Sequence, residues 1–435
     1  MIELDRADLH AAITDPAATS MTFLNEVAGR FPDAISLAAG RPYEGFYDTA
    51  DVTTFLDAYA EHLAARGADR AAVRTQLMQY GRTNGQIHGL IAAMLATDEG
   101  IRVPPEAVVV TAGCQEAMVI ALRALIAGPR DALLVPSPCY VGISGAARLL
   151  GVPMVSVPEG PGGLDPTAVA VAARDARRAG LRPRALYALP NFANPSGVSM
   201  PVAARRQLLA VAAAEDLIIL EDDPYGLFGL DDTPRPTLKA LDERGQVIYL
   251  GSFAKSCFPG ARVGFLVADQ AVVDRDGRRT LLADELASVK SMLTVNTSAI
   301  AQAVIGGMLV LAGGSLRAAN HDKIAFYRRN LRALLDALDR HLPAPLRERY
   351  GLSWNVPDGG FFAVLDTPLP ADEALVERSA REHGVLWTPM SFFYADGAPS
   401  GAIRLSCSWL EPDRIDEGVR RLAAFVTAEL VTPAR

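Results

Sequence analysis

The sequence has few cysteines, and they form no recognisable pattern. Cys114, Cys139, Cys257 and Cys407 are irregularly spaced along 435 residues, and no CxxC pair occurs. This spacing signals neither a zinc site nor a disulfide framework. Free thiols that serve as small core residues are typical of a reducing compartment, so we expect a cytoplasmic protein.

Positive charge is also scarce. The chain has 42 Lys and Arg against 50 Asp and Glu, a net charge of −8, and no clustered basic stripe. Such a chain is poorly suited to binding nucleic acid or an anionic membrane, and we expect a small-molecule partner instead.

No apolar run is long enough to span a membrane. The most apolar stretch, residues 300–314, contains Gln302 and a Gly306-Gly307 pair. It is shorter than the roughly 20 residues of a membrane span, so it predicts a buried helix. The first residues, MIELDRADLH, are charged from the third position, and no signal peptide is expected.

Hydrophobic residues make up 50% of the chain and are patterned. Between about residues 50 and 330, helical periodicities such as 115–126 and 203–215 alternate with short apolar runs. The runs, each predicted as a strand, are 108–111, 132–135, 154–157, 185–189, 217–220, 247–250 and 263–267. Continuous apolar strands separated by helices predict an α/β fold with a mostly parallel central sheet and helices on both faces.

The pattern changes near residue 320. A long helix is predicted at 322–341, followed by strands at 361–365, 385–389 and 402–408 and a helix at 371–382. Apolar residues at Met21, Leu24, Val27 and Phe31 also predict a helix over 20–34. We therefore expect an N-terminal arm with part of a small domain (1–48), a large domain (49–320) and a small C-terminal α+β domain (321–435).

The strongest chemical signal is a lysine that follows an apolar strand. Lys255 lies among small residues, with Ser252 three positions before it and Pro-Gly-Ala-Arg262 after it. A solvated surface lysine, the usual interpretation, requires neither of these flanking groups.

Three other segments carry weaker signals. Glu221-Asp222-Asp223 ends an apolar strand, at the sheet edge where ligands of α/β proteins bind. These carboxylates could also cap a helix or bind metal, but no further cluster completes a coordination shell, so we expect no metal. Asn194-Pro195-Ser196-Gly197 is by itself ordinary turn chemistry. Gly113-Cys114-Gln115 joins a strand to a helix and would direct backbone N–H groups at an anion.

Taken together and in this order, the four segments resemble the class I/II aminotransferases, which are fold-type I enzymes that use pyridoxal 5′-phosphate (PLP). The resemblance runs from about Phe23 to the C-terminus. It implies that Lys255 bonds covalently to PLP and takes part in proton transfer. It also implies that Asp222 pairs with the pyridine nitrogen, and that Asn194 and Tyr225 donate to the phenolic oxygen.

The same resemblance assigns further cofactor contacts. The phosphate would be held at the helix start, by Gly113, Cys114 and Gln115, and by Ser252 and Arg262. Cys114 departs from the Ser, Ala or Gly more common in the family, a change that a backbone donor tolerates. Tyr140 resembles the aromatic residue that stacks on the pyridine ring.

Substrate and subunit contacts follow from the resemblance as well. Arg404 resembles the arginine that binds the substrate α-carboxylate, with Gly40 and Asn194 beside it. Tyr80 resembles the tyrosine that reaches the phosphate of a neighbouring subunit, which implies a homodimer with shared active sites. Thr294 and Thr297 are weaker matches to another such contact.

The implied activity is ping-pong transfer of an amino group between an L-amino acid and a 2-oxo acid. Lyases, decarboxylases and oxidases use the same scaffold and remain alternatives. Some transcription regulators carry such a region after a helix-turn-helix domain. Only 34 residues precede Ile35 here, so none is expected.

Two features bear on the substrate. The Gly40–Gly45 run is similar to hydroxyphenylglycine aminotransferases, and aromatic residues are enriched in two segments expected near the side-chain pocket. These are Phe23, Tyr43, Phe46 and Tyr47, then Phe392, Phe393 and Tyr394. They favour an aromatic or arylglycine substrate, although about half of them are expected only to pack between domains. Arg41 could instead select a dicarboxylate such as 2-aminoadipate.

Overall fold

The computed structural model describes residues 2–10, 12, 23 and 26–431. Within the predicted N-terminal helix, residues 26–30 are helical and Val27 is buried, whereas Met21 and Leu24 lie outside the described residues. The chain then extends through β1 (Ile35–Ser36). Short 3₁₀ segments lie at Arg6–Asp8, Glu44–Phe46, Pro105–Ala107, Pro259–Ala261 and Met390–Phe393.

A central sheet of eight strands contains all seven predicted strands. The strands are β2 (Val108–Thr111), β3 (Asp131–Ser137), β4 (Met154–Gly160), β5 (Gly163–Leu164), β6 (Arg182–Ala188), β7 (Ile218–Asp222), β8 (Val247–Ser252) and β9 (Gly264–Val267). Their order is β2-β9-β8-β7-β6-β3-β4-β5. The five strands from β8 to β4 pair in parallel, and β9 is antiparallel to both neighbours. The predicted, mostly parallel sheet is confirmed.

Helices cover both faces of this sheet. They are α1 (Thr49–Ala65), α2 (Arg70–Met78), α3 (His88–Asp98), α4 (Cys114–Leu125), α5 (Val141–Leu149), α6 (Pro166–Arg178), α7 (Val202–Ala214), α8 (Leu238–Leu241), α9 (Phe253–Ser256), α10 (Leu282–Leu293), α11 (Ala299–Leu311) and α12 (Leu316–Ala319). Successive residues of β3 face opposite sides, since side chains alternate along a strand. Leu133 joins the core under α4 and α5, and Leu134 joins the core under α6 and α7.

The C-terminal part is α+β, as predicted. A hairpin, β10 (Ala271–Val273) with β11 (Arg279–Leu281), precedes it. Its elements are α13 (His321–His341), α14 (Ala344–Tyr350), β12 (Ser353–Trp354), β13 (Phe362–Asp366), α15 (Glu373–His383), β14 (Val385–Leu386), β15 (Thr388–Pro389), β16 (Ile403–Ser406) and α16 (Pro412–Val431).

One predicted strand of this part is divided. Residues 385–389 form two short strands, because β14 pairs with β1 and β15 pairs with β16, and the buried Trp387 lies between them. The pairing of β1 with β14 attaches the chain around residue 35 to the C-terminal part. Across the described ranges, no helix is both long and apolar enough to cross a membrane.

Candidate active site

A cavity of about 840 Å³ lies where the ends of β7 and β8 face β16. It is lined by most of the residues singled out from the sequence: Gly40, Cys114, Gln115, Tyr140, Asn194, Asp222, Tyr225, Ser252, Lys255, Arg262 and Arg404. Gly113 lies against Arg262, because a Cβ on Gly113 would come 2.5 Å from that guanidinium. Residues that are up to 364 positions apart in the chain therefore meet in one cavity.

Lys255 lies on α9, directly after β8, and Ser252 caps that helix by accepting from the backbone N–H of Ala254. The Lys255 ammonium donates to the carbonyl of Gly40 at 2.8 Å. No carboxylate within the described residues forms an ion pair with it. Burial, together with the positive charges of Arg404 and Arg262, lowers the pKa of Lys255 to about 8. The amine is therefore neutral far more often near pH 7 than an ordinary lysine, as a nucleophile or base requires.

Of the three consecutive carboxylates, Asp222 is the one that lines the cavity. Glu221 accepts instead from the backbone N–H groups of Leu238 and Lys239, at 2.6 and 2.7 Å. Asp223 accepts from the amide of Asn191 at 3.2 Å. Because side chains alternate at the end of β7, only the middle residue points toward the cavity.

Two donors hold the Asp222 carboxylate. The Tyr187 hydroxyl donates to Oδ2 at 2.6 Å, and the Cys114 thiol donates to Oδ1 at 3.6 Å. Burial raises the pKa of Asp222 to about 6, and these two hydrogen bonds oppose that rise. The carboxylate is thus largely ionised at neutral pH and can accept from a protonated ring nitrogen.

The start of α4 forms a cradle for an anion. Gly113, with φ +82°, precedes the helix, and a Cβ on Gly264 would lie 2.6 Å from the Cys114 nitrogen. Arg262 adjoins this helix start and has no ion-pair partner in the described part of the chain. A helix N-terminus beside an uncompensated guanidinium fits a phosphate group.

The wall beside this cradle is set by Tyr140 and Gln115. The Gln115 side chain donates to the carbonyl of Gly142 at 2.7 Å, so its contribution to an anion would come from the backbone. A Cβ on Gly142 would come within 2.3 Å of the Tyr140 ring and 2.6 Å of Gln115. Glycine at 142 therefore lets both side chains pack against α5.

Hydrogen bonds fix the guanidinium of Arg404, on β16, in a position where it could bind a carboxylate. Its guanidinium donates to Asn194 Oδ1 at 2.7 Å, the Ala38 carbonyl at 2.8 Å and the Thr388 hydroxyl at 3.2 Å. Its buried Nε has no partner within the described residues. All acceptors are neutral, so the positive charge is uncompensated and matches an anionic ligand. Burial lowers the pKa of Arg404 to about 10, which still leaves it charged.

Sequence reasoning missed several parts of this site. Tyr187 lies in the strand predicted at 185–189 but received no role, because pairing it with Asp222 requires knowing that β6 and β7 are neighbours. The rings of Phe362 and Phe393 flank the Arg404 guanidinium at 4.3 and 4.8 Å from their centroids. No local signal in the sequence identifies these contacts.

The aromatic enrichment mostly reflects packing. Of the seven aromatic residues, Phe393 lines the cavity, and the other six are absent from its described lining. Phe23 packs edge-on against Phe392, and Tyr43 and Phe46 cluster with Phe326. Most of these residues therefore fill apolar contacts outside the cavity lining, and a substrate contact for the others stays a prediction.

The three residues expected to contact a neighbouring subunit differ in exposure and in hydrogen bonding. Tyr80 is 84% exposed and lies outside the cavity lining of this chain. Thr294 donates to Glu116 at 2.6 Å, and the buried Thr297 donates to the Val110 carbonyl at 3.0 Å. Both threonine hydroxyls are thus used within their own chain.

The fold and the cavity define a fold-type I PLP enzyme, and the sequence profile of the family described as "Aminotransferase class I and II" matches residues 44–422. The chain belongs to this family and is a PLP-dependent transaminase of amino acids and 2-oxo acids. It is 49% identical to the (S)-3,5-dihydroxyphenylglycine transaminase of Amycolatopsis orientalis, over 99% of this chain and 96% of that protein.

Two further comparisons agree with this assignment. The chain is 31% identical to the 2-aminoadipate transaminase of Thermus thermophilus, over 90% of this chain and 89% of that one. Its fold matches the crystal structure of Pyrococcus horikoshii kynurenine aminotransferase in complex with PMP, with a TM-score of 0.81 and 26% identity. That match covers 99% of this chain and 98% of the other.

The residues present fit PLP by the chemistry of their donor set. The anion cradle suits its phosphate, the ionised Asp222 suits a protonated pyridine nitrogen, and a lysine with a lowered pKa suits its aldehyde. When bound, PLP supplies an electron sink for charge that develops at the substrate Cα. The protein supplies binding, orientation and the groups that carry protons.

Proposed function

We propose that the protein transfers amino groups between an L-amino acid and an aryl-substituted 2-oxo acid, with an arylglycine as product or donor. The observation that carries this is the asymmetry of the cavity. Arg404 provides a carboxylate site, Phe393 and Val141 provide apolar lining beside it, and Leu149 and Ala28 provide further apolar lining. The 49% identical relative, named as a dihydroxyphenylglycine transaminase, supports the same substrate class.

The roles of the catalytic residues are part of this proposal. Lys255 would hold PLP covalently and, as a free amine, would move a proton between the substrate Cα and the aldehyde-derived carbon of the cofactor. Its lowered pKa supports this role, because a base must be neutral before it accepts a proton. Asp222 keeps the ring nitrogen protonated.

Binding roles follow from position. Gly113, Cys114 and Gln115 offer backbone N–H groups to the phosphate, and Ser252 and Arg262 complete its site. Tyr140 stacks on the ring, and Asn194 and Tyr225 donate to the phenolic oxygen. Asn194 accepts from Arg404 through Oδ1, so its amide nitrogen remains the group available as donor. Arg404, with Gly40 beside it, binds the α-carboxylate.

The second candidate substrate class is a dicarboxylate such as 2-aminoadipate. It is supported by Arg41, which also lines the cavity, and by the 31% identical 2-aminoadipate transaminase. Arg41 is, however, stacked over Trp409 at 4.2 Å and lies 3.6 Å from a carboxylate oxygen of Glu44. Its charge is therefore already partly neutralised, which favours the aryl substrate.

We further propose a cytoplasmic homodimer in which Tyr80 reaches the phosphate site of the partner subunit. The exposure of Tyr80, next to exposed Met78, supports an interface there. The division into 1–48, 49–320 and 321–435 is proposed with it. The separate apolar core of the C-terminal part, which also includes Ile35 and Leu37, supports this division.

The substrate assignment is tested by comparing kcat/KM for phenylglyoxylate and 2-oxoadipate with one fixed amino donor. We expect at least a tenfold preference for phenylglyoxylate, and we expect Arg41→Ala to leave it unchanged. Arg66→Ala, which removes an exposed arginine at the end of α1, is the matched control. A preference for 2-oxoadipate that disappears in Arg41→Ala would establish the dicarboxylate instead.

A further inference from the structure

Helix α5 contains two glycines, one in a tightly packed environment and one beside open space. A side chain at Gly142 would collide with Tyr140 and Gln115, so packing explains that glycine. A Cβ at Gly145 would meet no heavy atom within 4 Å among the described residues. Glycine inside a helix makes the helix less stable than alanine does, and no packing contact with a described residue accounts for glycine at position 145.

The open side of Gly145 belongs to the active-site cavity. Val141, Gly145, Arg148 and Leu149 line it together, and their spacing of four and three residues places them on one face of α5. Val141 packs in one apolar cluster with Phe393, whose ring contacts the Arg404 guanidinium. The face of α5 therefore begins near the carboxylate site and continues past Gly145 to Leu149, which is 60% exposed.

This geometry bears on the width of the substrate. An arylglycine carries its ring directly on Cα, so its side chain is short and wide and needs lateral space close to the carboxylate site. The cavity lining also includes the small residues Ala28, Ala38, Ala39 and Gly40. A methyl group at position 145 would project from α5 into the open space of this cavity.

We propose that Gly145 is a specificity-determining residue, whose missing side chain gives the cavity the width that admits an aryl group attached directly to Cα. This inference rests on the proposed arylglycine specificity. It predicts that enlarging residue 145 selects against wide substrates and spares narrow ones.

The test uses Gly145→Ala and Gly145→Val, with Gly89→Ala as the matched control. Gly89 is an exposed glycine in the first turn of α3, and a Cβ there meets no described atom within 4 Å. Each protein is loaded with pyridoxamine 5′-phosphate and mixed with phenylglyoxylate or pyruvate, and the single-turnover rate constant is read from cofactor absorbance. Calorimetric binding of the unreactive phenylacetate and acetate provides a readout that does not depend on turnover.

In Gly145→Ala the single-turnover rate constant for phenylglyoxylate, divided by that for pyruvate, should fall at least tenfold. In Gly145→Val this ratio should fall further. Phenylacetate binding should weaken by a similar factor while acetate binding stays within twofold. Gly89→Ala should change neither, and neither alanine variant should have a lower Tm than the wild type.

Two outcomes would overturn the role of Gly145 without contradicting the proposed function. One is a wild-type preference for phenylglyoxylate that both Gly145 variants retain within twofold. The other is an equal loss with both substrates accompanied by a lower Tm, which would indicate a packing role. A wild-type enzyme with no preference for phenylglyoxylate over pyruvate would instead contradict the proposed function and, with it, this inference.

Discussion

The Tyr187 hydroxyl donates a 2.6 Å hydrogen bond to Oδ2 of Asp222. The two residues lie on the adjacent strands β6 and β7, and both are buried. Burial alone favours the neutral carboxyl group, so a strong donor is needed to keep Asp222 ionised. We therefore propose that Tyr187 is a positioning residue that acts on the cofactor through Asp222.

Replacing Tyr187 by Phe should shift the acid limb of the kcat/KM profile. The ionised fraction of Asp222 falls as pH drops through its pKa, which burial already raises to about 6. A hydrogen bond to a charged group contributes about 1.5–3 kcal/mol, so its loss should move the acid limb up by about one to two pH units. Tyr59→Phe, a buried tyrosine on α1, is the control. An acid limb that stays in place in Tyr187→Phe would disprove this role.

Replacing Arg404 by Lys should lower kcat/KM about a hundredfold. Lysine cannot make the paired hydrogen bonds of a guanidinium, and the expected loss of about 3 kcal/mol corresponds to that factor. PLP retention, measured by absorbance after dialysis, should not change, because Arg404 lies toward the carboxylate end of the cavity. Loss of the cofactor together with activity would show that Arg404 supports PLP instead.

Tyr80→Phe should weaken PLP retention without dissociating the dimer. A lost hydrogen bond to a phosphate should raise the rate of PLP loss about tenfold. Tyr350→Phe, a partly exposed tyrosine in α14, provides the comparison. Sedimentation of the holoenzyme as a fully active monomer would rule out shared active sites.

The attachment of PLP to the apoenzyme should depend on pH through Lys255. Its pKa is lowered to about 8, and only the neutral amine reacts with an aldehyde. The rate of attachment, followed by stopped-flow absorbance, should rise up to about pH 8 and then level off. A rate that keeps rising beyond pH 9 would indicate a lysine with an ordinary pKa.

Much of the fold was predictable because parallel strands and their covering helices leave strong local patterns. The apolar runs at 108–111 and 247–250 lie within β2 and β8. The two-residue β5 was missed because it is too short to leave a pattern. The strand predicted at 385–389 was too long, since its division depends on the partners β1 and β16.

The candidate site was predictable only in part. Lys255, Asp222 and Asn194 lie in recognisable motifs, and the structure brings all three to one cavity. The contacts that tune them depend on tertiary structure: Tyr187 on the order of the strands, and the ring of Phe362 on how β13 approaches Arg404. The width left by Gly145 is likewise invisible until α5 is placed against the cavity.

Peptide mapping after borohydride reduction decides whether Lys255 is the residue that holds PLP. The purified protein, saturated with PLP, is reduced with borohydride, digested and mapped by mass spectrometry. We predict a single phosphopyridoxyl modification on the peptide containing Lys255, accompanied by loss of the cofactor absorption band. The Lys255→Ala variant should carry none. Modification at other lysines with Lys255 unmodified, or a protein that gains no absorption band with PLP, would show that Lys255 does not hold the cofactor.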